Sequence, residues 1–88
     1  MGLFSKKKKI DYDAVFKEKY KNINQLNIQA QGELDYVIKE SLYALIVEKY
    51  DELIELINQG ASYDKTHFLA LKENAVKEYI NIQNINKG

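Results

Sequence analysis

The chain has 88 residues, with no cysteine, proline or tryptophan, and its 13 acidic and 13 basic side chains cancel to a net charge of zero. One domain is expected, held by apolar packing rather than by disulfides or thiolate-bound metal. All the basic residues are lysine; without a guanidinium fork to grip phosphate or guanine, nucleic acid is disfavoured as a partner.

The stretch MGLFSKKKKI opens the chain. It reads as a basic arm over residues 1–10, without regular structure of its own. Leu3 and Phe4 are apolar, and Lys6, Lys7, Lys8 and Lys9 follow. On an anionic membrane each lysine contributes up to about 1 kcal/mol, so a weak, reversible membrane-surface contact is one role for the arm. The other is a solubilising tail. Residue 6 is lysine, so the myristoylation pattern is not met. No apolar h-region of a secretory signal follows the lysines, and no run reaches the ~20 residues of a membrane span. The expected location is cytoplasmic, or peripheral to the inner membrane face. Abundant Ile, Asn and Lys suggest AT-rich coding, as in a small bacterial protein.

From residue 11 the pattern is helical. Tyr12, Val15, Phe16, Tyr20, Ile23, Leu26 and Ala30 share one arc of about 140°. Asp11 or Asp13 can cap the start. This predicts a helix over about 11–30, with Lys17, Glu18, Lys21, Asn24 and Gln25 opposite the stripe. Near Gly32 the stripe stays in phase, so a bent or continuous helix competes with a tight turn. The turn is favoured, because it buries the first stripe internally.

A second helix is expected over about 33–58. Its apolar arc spans about 200°, more than one neighbour covers, so it should be central. Tyr36, Tyr43 and Tyr50 recur every seven residues and Ile57 continues the series. With Ile46, Val47 and Ile54 they form a candidate interface, because tyrosine is enriched at protein contacts; the competing reading is a core edge with wet hydroxyls. Residues 32–60 hold seven acids against two lysines. Glu33, Glu40, Glu48, Asp51 and Glu55 fall opposite the apolar arc and read as a solvated face.

Gly60 follows the last apolar residues and suits the left-handed position that ends a helix. Ser62 and Asp64 are good N-caps for the next. So short a link between two apolar-faced helices predicts a hairpin. The third helix is expected over about 64–82, with residues 85–88 as a frayed tail and 11–84 as the single domain. Asp13/Lys17, Asp35/Lys39 and Glu73/Lys77 are acid-to-lysine pairs four apart, one in each helix.

Around this turn, the QGASYD stretch followed by Leu71, Lys72 and Glu73 resembles the last helix–helix junction of the pediocin-like bacteriocin immunity proteins. That resemblance implies a small cytoplasmic antiparallel helical bundle with an immunity role. The chain lacks the aromatic, Tyr-Gly-rich tail of that family. LIELINQG with Phe68 and Lys72 is similar to short C-terminal oligomerisation hairpins of bacterial proteins, where the phenylalanine sits one residue nearer the glycine.

Catalytic signals are missing from the sequence. His67 is the single histidine, and no serine or threonine stands in a nucleophile motif beside it. No metal or cofactor pattern is present, so neither is expected. The reading is an all-α antiparallel three-helix bundle. It is taken as a non-enzymatic regulator or adaptor acting through another protein chain, a second copy included. An immunity-like bundle and a membrane-surface adaptor are the alternatives.

Overall fold

The computed structural model describes residues 10–88. Leu3, Phe4, Lys6, Lys7, Lys8 and Lys9 lie outside the described residues, so the membrane-contact expectation rests on sequence alone. Three helices follow one another: α1 over Tyr12–Gly32, α2 over Tyr36–Gln59 and α3 over Lys65–Lys87. They pack as an antiparallel three-helix bundle with α2 at its centre. Both α1 and α3 lie against α2, and their backbones do not approach each other. The wide apolar arc of α2 needs this arrangement, since each neighbour covers one side of it.

Each helix starts on an aspartate. Asp11 Oδ1 accepts from the Ala14 amide, Asp35 Oδ1 from Val37 and Ile38, and Asp64 Oδ1 from Thr66 and His67. These carboxylates satisfy amides that have no partner inside the helix. Ser62 is not a cap; its amide donates to Asp13 Oδ1 at 2.6 Å, joining the turn to α1. Of the expected acid–lysine pairs, none is among the ion pairs of the described residues. Asp35 stands outside its helix as a cap, and Lys39 reaches back to the carbonyls of Gln31 and Glu33. The ion pairs bridge helices instead: Lys19 to Glu52 at 3.2 Å, and Lys72 to Asp51.

The α1–α2 link is a turn, but Gly32 does not make it. Gly32 is the last residue of α1, and Glu33 leaves the helix with an ordinary extended backbone (φ −78°, ψ 126°). Residues 33–35, expected to open α2, form the link. Gly60 does act as expected, with φ +136°. Its amide reaches the carbonyl of Ile57, and the Ala61 amide reaches that of Leu56. Those two bonds define the Schellman closure, in which a residue of positive φ ends a helix.

The core contains Phe16, Ile23 and Ala30 of α1, Tyr43, Ile46, Tyr50 and Leu53 of α2, Ala61, and Phe68, Ala75 and Ile82 of α3. At the Gly60 end an aromatic group ties α1 to α3. Phe16 stacks on Tyr63 with centroids 3.9 Å apart, and Phe68 meets Phe16 and Tyr20 edge-on at 4.9 and 5.1 Å. At the other end Asn86 Nδ2 donates to the Tyr36 carbonyl and to Glu40 Oε1, both at 2.8 Å. That clip coincides with α3 running five residues past its expected end, so that residues 85–87 are helical rather than a tail.

Candidate functional site

The seven residues singled out on α2 divide by burial. Tyr43, Ile46 and Tyr50 are buried, and Val47, Ile54 and Ile57 are half-buried against the same core. Packing within the chain therefore takes up most of this face. Only Tyr36 is exposed, with Lys39 5.7 Å from its ring centroid. The acidic face is also partly engaged: Glu40 accepts from Asn86, Glu33 from the Asp35 amide, Glu55 from Gln59, and Asp51 pairs with Lys72. Glu48, Asp51 and Glu55 are nonetheless exposed.

Two surfaces stand out instead. The first is an apolar tip where α1 gives way to α2 and α3 finishes. Ile28 is 73% exposed, Leu34 90%, Val37 67% and Ile38 47%, with Tyr36 and Ile85 also exposed. Leu34 lies in a link too short to fold back over the core, so its side chain stands in water.

The second is an open cleft of about 530 Å³ between α1 and α3. The aromatic group fills the space between these helices near Gly60. Farther along, the facing side chains are shorter and more polar, and the gap opens. Asn24, Asn27, Ile28 and Gln31 form one wall, Leu71, Asn74, Ala75 and Glu78 the other, and Tyr43 and Tyr50 the floor. Burial pushes the Tyr43 phenol above its ordinary value, and the Glu78 carboxylate adds to the rise. Burial does the same to Tyr50, helped by Tyr20 and offset in part by the Asn27 amide acting as donor. Both phenols are therefore neutral donors at physiological pH.

His67 is exposed and meets Phe68 edge-on at 5.1 Å. Among the described residues no group of histidines and carboxylates could hold a metal ion, and no helix is long and apolar enough to cross a membrane. Sequence reasoning missed the cleft. Asn24, Asn27 and Gln31 recur at i, i+3 and i+7, the spacing of one helix face. That signal was available, but a row of amides carries no weight in an apolar-stripe search, and Asn24 was assigned to the solvent side.

Comparisons of the chain with protein-family models, with curated proteins and with solved structures return no match. Likenesses drawn at the Gly60 turn rest on the residues of that turn.

Proposed function

We propose that this chain is a non-enzymatic adaptor or regulator that works by protein–protein contact, with the apolar tip as its contact surface and a second copy of itself as the first partner. The observation that carries this reading is the exposure of Leu34, Val37 and Ile28 together at one end of the bundle. Apolar side chains exposed together on a small soluble chain mark contact surfaces. The outer face of α2 is a poorer choice for self-association: Glu48, Asp51 and Glu55 on two copies would repel.

Sedimentation equilibrium tests this directly. The wild-type chain is expected to show a mass that rises with concentration, and Leu34→Glu combined with Val37→Glu should return it to a monomer without loss of helicity. A strictly monomeric wild type near 1 mM, where even a weak dimer of about −4 kcal/mol would be half-formed, removes the self-association reading.

The basic arm supports a second reading, attachment to an anionic membrane through Leu3, Phe4, Lys6, Lys7, Lys8 and Lys9. Co-sedimentation with phosphatidylserine vesicles, with and without residues 1–9, separates it from the first. Equal partition of both forms ends it.

A further inference from the structure

We infer that the cleft between α1 and α3 binds a short extended peptide segment in which an apolar residue stands near a lysine or arginine. Four features of the lining lead to this ligand.

The first is length. From Asn24 to Gln31 the wall of α1 advances seven residues, about 10 Å at 1.5 Å per residue. Three residues of extended chain span the same distance at about 3.3 Å each. A docked helix would have to fit into about two turns.

The second is the hydrogen-bonding character of the walls. Asn24, Gln31 and Asn74 present primary amides from both sides. Each offers a donor and an acceptor side by side, which is the pattern a peptide unit offers in return. Asn27 stands on the same wall, beside Tyr50 of the floor. An extended backbone laid along the cleft can exchange bonds with the free amides on either wall, and the neutral Tyr43 phenol lies beneath it.

The third is charge. Among the described residues Glu78 is the only charged one in the lining, so a cationic side chain gains a partner there and an acidic one is repelled. The fourth is shape. Leu71 and Ala75 line the α3 wall, and Ile28 stands 73% exposed at the α1 rim. Together they give an apolar side chain somewhere to rest. A sugar would want the open face of an aromatic ring, but Tyr43 and Tyr50 are only 6% and 5% exposed.

The cleft shares Ile28 with the tip but is otherwise lined by different residues, and the proposal does not depend on self-association. The probe is the acetylated, amidated tetrapeptide Leu-Phe-Ser-Lys, which has the sequence of residues 3–6. A matched peptide with glutamate in place of lysine serves as the control. Each is titrated into the full-length, ¹⁵N-labelled chain while amide shifts are followed. The lysine peptide should give saturable shifts confined to 24–31 and 71–78, with a Kd below about 1 mM. Substituting glutamate for lysine should weaken binding. Glu78→Gln should weaken the lysine peptide by about 1.4-fold to fivefold, the range of an exposed ion pair, and narrow the difference between the two peptides. Glu48→Gln, on the outer face of α2, should leave binding unchanged. Glu78 and Glu48 are both exposed, so neither change threatens the fold. Absence of saturable shifts in the millimolar range, shifts centred on the acidic face or the tip, or indifference to Glu78→Gln would each overturn the proposal.

Discussion

At the scale of single residues, four aspartates set where the chain turns. Asp11, Asp35 and Asp64 each close the first turn of a helix, and Asp13 reaches across to the Ser62 amide. Asp64→Ala should cost about 1 kcal/mol, the usual value of a lost cap. Ser62→Ala should cost less than half of that, because the Ser62 amide is what Asp13 holds and its hydroxyl has no part in the bond. Urea unfolding of the two variants side by side measures the difference. The sequence pointed to Asp64 and Asp11 as caps but not to Asp35, because an unbroken stripe across Gly32 hid the three-residue link. In the sequence Asp13 reads as an alternative cap and as the partner of Lys17; its bond to Ser62 is hidden because the two are 49 residues apart, and no local pattern records such a bond. The two floor tyrosines give a pH prediction. Their phenols ionise at higher pH in the folded chain than in the unfolded one. The stabilisation this represents is complete below the unfolded phenol value near 10 and is lost as pH climbs through the folded values. Thermal unfolding should therefore show stability falling above about pH 10. In Tyr43→Phe that alkaline decline should be shallower.

Among the elements, the α2–α3 turn has the strictest requirement. Gly60 sits at φ +136°, where an added Cβ would meet only Tyr12 ring carbons at 3.5 and 3.8 Å. Space is adequate, so the strain of Gly60→Ala lies in the backbone, at about 1–3 kcal/mol. Chemical denaturation should find a loss in this range with helicity unchanged. Gly32→Ala, by contrast, meets nothing within 4 Å and has no positive φ to maintain. In a helical position it should be neutral or stabilising, since alanine is the better helix former by about 1 kcal/mol. Sequence signals were good for the middle of each helix, where apolar spacing tells the story, and poor for the last turn of α3. Asn84 and Asn86 are weak helix formers, so propensity alone does not carry the helix to Lys87. The Asn86 clip onto Tyr36 and Glu40 is tertiary, and it supports what propensity does not. In Asn86→Ala the amides of residues 84–87 should exchange with solvent several-fold faster, while those around Phe68 keep their protection.

For the whole molecule, the central position of α2 decides how the parts depend on one another. It was legible because its apolar arc is too wide for one neighbour. The cleft was not, because it exists only where α1 and α3 diverge. Between these outer helices the contacts run through side chains: the stacked and edge-on rings near Gly60, and the far wall of the cleft. Taking α1 away would leave α2 and α3 still paired, whereas taking α2 away would leave α1 and α3 with side-chain contacts alone and no close approach of their backbones. Native-state hydrogen exchange should accordingly find the lowest opening energies in α1, below those of α2. The Asp13–Ser62 bond has a mechanical consequence. Any tension applied through the N-terminal arm enters the bundle at Tyr12, and that bond, with the Phe16–Tyr63 stack just behind it, takes the load first. A tug on the arm along the axis of α1 shears these contacts together. A tug across the axis peels them one at a time, so the direction of pull decides how firmly the first helix holds.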